Sequence, residues 1–397
     1  MRVPQHVSSV RSCDVRDSRS SSVVFLVLRV GPNVLASVFL YIVSAARTPI
    51  GSFLGSLRGV PAVELAAVAI RGALDRTRLP SSAVGECVLG NVLGANTGQA
   101  PARQAALAAS LPVATVCTTV NKVCASGLKA VGLAADSLAL GRGGAAGAAV
   151  AGGAESMSRA PHYLEGLRGS GRGGGRFGWP TVGDRPAIDA INRDGLTDGT
   201  LGAVMGSLAD ALAAEQGISR EEQDHHATHS YSRAAKAAHA GLFADEIVAV
   251  KAADGSVALG EDEEVHRFTS YGLSPVARIV AYADAEGPPE AFPTAPIPAV
   301  HAALARAGLS VGDVDVWEVN EAFSAAAVAV NRGLGLEATR VNVRGGAVAM
   351  GHPIGASGAR ILVTLLSVLK ERGGAYGVAA VCNGGGGASA LVVQRIP

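Results

Sequence analysis

The feature that most restricts the fold is an internal repeat. Cys124-Ala125-Ser126-Gly127 opens a helical pattern that closes at Arg142-Gly143-Gly144 before an Ala/Val strand, and Gly355-Ala356-Ser357-Gly358 opens another that closes at Arg372-Gly373-Gly374 before a second such strand. The two copies are offset by 231 residues at the opening (124 to 355) and 230 at the close (143 to 373). Val84-Gly85-Glu86 and Val311-Gly312-Asp313 stand before the second strand of each copy in the same way. Two homologous α/β halves explain this most economically.

The first half alternates regularly. Val38 to Ala45, Glu86 to Leu93, Ala114 to Lys122 and Ala148 to Ala151 read as strands; Pro61 to Leu79, Gln99 to Ser110 and the segment from Cys124 read as helices. Such alternation predicts parallel sheets covered on both faces. The second half ends on a fifth strand, Ala388 to Arg395, after a glycine turn; the first half has no counterpart before residue 271.

The remaining segments divide the chain. Residues 1–37 carry Arg2, Arg11, Arg16, Arg19 and Arg29 with many serines, like an organelle transit peptide, although Val23 to Leu28 is more apolar than such a leader needs. The apolar run to Ala46 is broken by Arg29, Pro32 and Asn33, so no membrane span is expected. The expected domains are the leader (1–37), an N-terminal half (38–155), an inserted cap (156–270) and a C-terminal half (271–397). The cap holds a Gly/Arg loop from Gly166 to Gly178, a helical stretch from Gly206 to Gly241 and a hairpin-like segment from Ile247 to Glu264. With 34 basic against 33 acidic side chains, a nucleic-acid partner is not indicated and a small-molecule substrate is. Five cysteines without a C-x-x-C pair suggest neither a disulfide framework nor a zinc ribbon.

The chemistry concentrates at three places. Cys124 sits at a strand-to-helix turn in Asn121-Lys122-Val123-Cys124, where the helix dipole and a nearby imidazole are expected to lower its pKa. His352 lies on the loop Gly351-His352-Pro353, and Cys382 ends a strand before Gly384 to Gly387, whose amides could cradle an anion. Two other patterns are weaker. Gly169 to Gly174 matches G-x-G-x-x-G without a strand before it, and His225/His229 share a helical face without further zinc ligands.

These residues resemble the thiolase family. The resemblance covers nearly all of Val38 to Pro397 and rests on Ser44-Ala45-Ala46-Arg47-Thr48-Pro49-Ile50-Gly51, Glu155-Ser156-Met157-Ser158, Asn320-Glu321-Ala322-Phe323, Gly351-His352-Pro353 and Cys382-Asn383-Gly384-Gly385-Gly386. Trp317-Glu318-Val319-Asn320 and Phe292-Pro293 look most like the mitochondrial-type acetyl-CoA acetyltransferases. It implies two βαβαβαββ halves packed as α-β-α-β-α layers with a cap, and Claisen condensation of two acetyl-CoA to acetoacetyl-CoA, or the reverse thiolysis, through an acetyl-cysteine. Carried over, Cys124 is the nucleophile, His352 accepts its proton, the amides of Cys124 and Gly384 hold the oxyanion, Cys382 is the acid/base and Asn320 holds a water. His162 and Phe323 would line the pantetheine tunnel and Phe292 the acyl end. The resemblance implies CoA thioesters as substrates, no other cofactor, a homodimer or homotetramer, and a mitochondrial or else cytoplasmic location. A degradative 3-ketoacyl-CoA thiolase and an inactive homologue are the alternatives.

One departure is large. Between Ser270 and Tyr271 the family carries about forty more residues at ordinary element and loop lengths, including the first sheet's edge strand and a CoA-contacting loop. Its absence is expected to leave backbone groups of the neighbouring strand unpaired, at about 1–3 kcal/mol each. The potassium site of mitochondrial relatives draws on the same segment, and its tyrosine position is Thr200 here, so no metal is assigned.

Overall fold

The computed structural model describes residues 20–30, 39–77, 79–142, 147–167, 186–252, 254–263 and 277–396. The junction at Ser270–Tyr271, the glycine motif at 169–174 and the leader's first nineteen residues lie outside them.

The N-terminal half contains β1 (Ser20–Val30), β2 (Phe39–Arg47), α1 (Ala62–Asp75), β3 (Val84–Gly90), α2 (Pro101–Ala108), β4 (Val116–Val120), α3 (Ser126–Ala139) and β5 (Ala148–Ser156). The cap follows, with β6 (His162–Tyr163), β7 (Ile188–Asp189), α4 (Met205–Glu215), α5 (Arg220–His239), β8 (Val250–Lys251) and β9 (Val257–Leu259). The C-terminal half comprises β10 (Ala277–Glu286), α6 (Pro296–Ala307), β11 (Val316–Val319), α7 (Ser324–Leu334), α8 (Ala347–Met350), α9 (Ile354–Arg372), β12 (Tyr376–Asn383) and β13 (Gly387–Arg395).

The large sheet runs β11-β12-β13-β10-β2-β1-β5-β3-β4, its halves joined by two residue pairs between β10 and β2. Three apolar cores separate five layers. Leu128, Val131 and Leu138 of α3 and Ala359, Leu362 and Leu366 of α9 pack between the halves of the sheet, against Val23 and Phe25 on one side and Val381 and Leu391 on the other. Helices α1 and α2 cover the outer face of the first half, and α6 with α7 that of the second. The layers are therefore α-β-α-β-α.

The repeat is visible in the order of the strands. In the second half, β13 lies between β12 and β10 and is antiparallel to both. In the first half the matching place, between β5 and β2, is held by β1, also antiparallel to both. This corrects the expectation of an empty position: the strand comes from the segment read as a leader, upstream of the half it completes.

The residues that looked odd for a leader account for this. Val23, Phe25 and Val27 enter the central core while Val24 and Leu26 enter the outer one, so the continuous apolar run is that of a strand buried on both faces. The serines before it are buried too. Ser22 N–H donates to Thr48 Oγ1 (2.9 Å), and Ser22 Oγ donates to the Gly153 carbonyl (3.2 Å). Gly152 admits the strand, because a Cβ there would lie 2.0 Å from the Val23 carbonyl oxygen.

The cap is tied to β2 by Arg47, which is fully buried. Its guanidinium meets Asp262 through two bonds of 2.7 and 2.8 Å and Glu246 through one of 2.9 Å. The long helical stretch expected in the cap is two helices. Gly217 at φ +61 ends the first, and Ser219 with Glu222 forms a capping box that starts the second.

Burial of Val23 to Val27, at about 1.5–3 kcal/mol per side chain, makes β1 worth on the order of 10 kcal/mol before chain entropy. Deleting residues 1–31 is therefore expected to give insoluble or unfolded protein, whereas deleting 1–19 leaves a cooperative melt. Phe25→Ala should cost about 3–5 kcal/mol in urea denaturation; equal stability of the two deletions would contradict the assignment.

Candidate active site

The nucleophile turn is built by local hydrogen bonds. Asn121 Oδ1 accepts from Val123 N–H (2.9 Å), and Ser126 Oγ accepts from Lys122 N–H (2.8 Å) while donating to the Val123 carbonyl (2.6 Å). Val123 is held at φ +45, an unfavourable conformation for a β-branched residue. The turn presents Cys124 just before α3, against Val92, Leu93, Met157 and Ile354.

The second half supplies the other groups. Cys382 is near the end of β12, packed with Met205, Leu208, Phe292, Ala322 and Phe323. Gly351, at φ +106, turns the chain so that His352 is buried; its Nδ1 is 2.6 Å from Ser357 Oγ and 3.4 Å from Asn320 Nδ2. His352 Nε2 and Asn320 Oδ1 are buried with no protein partner. They are the polar atoms left for a ligand.

Electrostatics depart from the sequence expectation at Cys124. Its pKa is raised, not lowered: burial is the largest cause and the neighbouring Cys382 adds to it, against the backbone N–H groups of Gly384 and Cys124. Desolvation outweighs the helix terminus, so the resting thiol is neutral. Burial likewise pushes Cys382 up to about 12. Burial, with the positive charge of Arg360, lowers His352 to about 4. A neutral imidazole can accept a proton, so the site is poised for proton transfer rather than for a standing ion pair.

The other expected residues are placed less centrally. Phe323 meets Phe292 edge to face, ring centres 6.3 Å apart. His162 is exposed on β6, opposite Asp189 and two residues beyond Ala160, which borders the Cys124 cluster. Of the glycine run, the Gly385 amide is already used: it donates to Asp198 Oδ2 (3.2 Å), so that part of the expected anion cradle holds the protein's own carboxylate. The rings of His225 and His229 lie tilted to each other with centres 4.1 Å apart, while His226 bonds Glu321 (3.1 Å).

Two buried carboxylates were missed as site residues although both lie in the quoted motifs. Glu155 accepts from the N–H groups of Val92 (3.0 Å), Leu93 (3.1 Å) and Gly355 (3.0 Å), clasping the loop beside Cys124 to the turn after His352. Burial raises its pKa to about 7. Glu321 accepts from Ser230 Oγ (2.8 Å), Asn342 Nδ2 (3.0 Å) and Val348 N–H (3.1 Å), tying α5 to the residue after Asn320. Only their partners, far off in sequence, reveal these roles.

A partly buried thiol, a fully buried one and a neutral imidazole, contributed by the two halves of a duplicated α/β fold, define a thiol-dependent acyl-transfer class of enzyme. Residues 40–282 match the N-terminal domain of thiolase and residues 273–395 its C-terminal domain. The chain belongs to the thiolase family. It is 44% identical to acetyl-CoA acetyltransferase 2 of Arabidopsis thaliana over 401 residues, covering 89% of this chain and 96% of that one. The cytosolic acetyl-CoA acetyltransferase of Gibberella zeae is 43% identical (90% and 98% covered), and the mitochondrial one of Bos taurus 42% (89% and 91%). For the Arabidopsis relative, 89% of 397 residues is about 353 against 401 aligned positions, so close to 48 of its residues have no counterpart here. The thiolase match begins after β1.

With His352 near 4, acetyl transfer to Cys124 should keep its rate as pH falls through 6.5 and lose it only on approaching 4, where the imidazole becomes protonated. Quenched-flow acetylation against pH checks this. A limb at the ordinary histidine value of about 6.5 would contradict it.

Proposed function

We propose that the chain is an acetyl-CoA C-acetyltransferase, an acyltransferase that condenses two acetyl-CoA to acetoacetyl-CoA and runs the reverse thiolysis. The observation that supports the reading is the electrostatic influence of Cys382 on Cys124, together with a buried His352 whose Nε2 is uncommitted. The names of the relatives support the substrate.

In the proposed sequence His352 takes the proton of Cys124 as its sulfur attacks the thioester carbonyl of acetyl-CoA, and CoA leaves as the thiol. The amides of Cys124 and Gly384, which already donate to this sulfur's position, stabilise the oxyanion. Cys382 gives its proton to the departing CoA sulfur, and the resulting thiolate removes a methyl proton from the second acetyl-CoA. Asn320, through its free Oδ1 and a water, and His352 hold the enolate oxygen. Attack of the carbanion on the acetyl-cysteine releases acetoacetyl-CoA and regenerates the Cys124 sulfur. The raised pKa of both thiols suits this order, because neither is a reactive thiolate until substrate arrives.

Phe292 and Phe323 close the wall beside Cys382, which supports a short acyl group over a long one. His162 and Phe323 are proposed to border the pantetheine arm. CoA thioesters are the proposed ligands, with no further cofactor. A homodimer or homotetramer is the proposed assembly; β4, paired on one side only among the described residues, leaves Val113 and Val116 exposed at 79% and 63%. Among the described residues no helix is long and apolar enough to cross a membrane. Mitochondrial import, proposed from the Arg- and Ser-rich start, requires that any removed presequence end before Ser20, since the next eleven residues are sheet.

Incubation with acetyl-CoA should add one acetyl group to the Cys124 peptide. Cys124→Ala should abolish it, and Cys382→Ala should still acetylate but lose condensation by at least about 10³-fold. Faster thiolysis of long-chain 3-ketoacyl-CoA than of acetoacetyl-CoA would overturn the substrate, and no acetyl-enzyme would overturn the mechanism.

A further inference from the structure

Two thiols away from the acyl-transfer pocket lie side by side. Cys87 and Cys117 are register partners on the parallel strands β3 and β4. Both side chains leave the face covered by α1 and α2, where Cys87 is buried and Cys117, at the margin, is partly exposed. Partners on adjacent strands are about 4.8 Å apart, within the roughly 4.4–6.8 Å Cα separation that a disulfide spans.

The surroundings distinguish the two sulfurs. They are hydrogen-bonded to each other, and Cys117 Sγ is also 3.3 Å from the Thr115 carbonyl. Arg103 of α2 donates to the carbonyls of Thr115 (2.9 Å) and Val113 (2.7 Å), which sets its guanidinium against Cys117. The bond from Cys87 and the charge of Arg103 lower Cys117 to about 6 despite burial. The bond to Cys117, burial and the nearby Glu86 carboxylate raise Cys87. No step of the proposed acyl transfer uses either sulfur.

We propose that Cys87 and Cys117 form a redox-modification site on the outermost strand pair of the sheet, with Cys117 as attacking thiolate, Cys87 as resolving thiol and a hydroperoxide as oxidant. The Cys117 sulfur attacks one peroxide oxygen, the O–O bond breaks, and the departing oxygen takes a proton to leave as water (from hydrogen peroxide), giving a sulfenic acid. The Cys87 sulfur then attacks that of Cys117; its proton leaves with the hydroxyl as water and the S–S bond forms. Two electrons pass from the two sulfurs to the peroxide. The pair faces the helices rather than the free edge, so strand pairing along β4 in an assembly does not consume it.

Residues 79–103 and 104–122 are separate tryptic peptides, which makes the bridge directly readable. Hydrogen peroxide on the full chain should join them in a product reversed by dithiothreitol. Cys87→Ala should instead leave a dimedone-reactive sulfenic acid at Cys117, and Cys117→Ser should leave Cys87 unmodified. At pH 7 iodoacetamide should label Cys117 at least about tenfold faster than Cys87, and Arg103→Gln should move that labelling to higher pH with an unchanged far-UV spectrum. Bridging of Cys124 to Cys382 alone, or equal labelling of Cys87 and Cys117, would overturn the proposal.

Discussion

Everything in the first half of this molecule leans on the backbone pairing of β1 with β2 on one side and β5 on the other. The pairing is non-local: Ser20 meets Ser156 across the sheet, and Arg47 of β2 pairs with Val23. Without it β2 and β5 would face each other across an empty strand width, and the core shared by α3 and α9 would open along Val23, Phe25 and Val27. A thiolase lacking close to 48 residues that a relative carries thus fills in its first half the place that β13 holds in its second. The substitute works because a strand's place depends on direction and side-chain pattern, not on where in the chain it arises. β1 has the antiparallel sense of β13 and the two-sided apolar run such a position demands.

That closure bears on the chemistry through short paths. β5 ends at Glu155 and Ser156, and Glu155 holds the loop beside Cys124 to Gly355, three residues after His352. A shift of β5 would therefore move the nucleophile's wall and the proton acceptor's turn together. The pocket's electrostatics follow from the same packing. Enclosure between the two halves withdraws water from Cys124, Cys382 and His352, and it is the largest cause that keeps all three neutral, with Cys382 adding to it at Cys124 and Arg360 at His352.

Much of the site was legible in the sequence because its groups sit in local motifs. Cys124, His352, Asn320 and Cys382 each stand at a turn whose neighbours mark it, the repeat predicted two α/β halves, and the family resemblance implied their layers. What escaped reading depends on distant partners. Val23 to Leu28, followed by Arg29 and Pro32, resembles the apolar part of a leader, and only β5 and β2 make it a strand. The sign of the Cys124 shift depends on how deeply the thiol is enclosed, which spacing does not encode. Glu155 and Glu321 were quoted as motif letters, but their roles as clasps lie in the N–H groups they receive. The break between α4 and α5 was readable from Gly217 and Ser219, yet helical periodicity on both sides masked it.

Native-state amide hydrogen exchange tests the central claim most directly, because a strand paired on both sides opens only with the sheet around it. The account predicts that amides of residues 21–28 exchange as slowly as those of β5 and share their free energy of opening. Exchange of this stretch within seconds, while β5 stays protected, would contradict it.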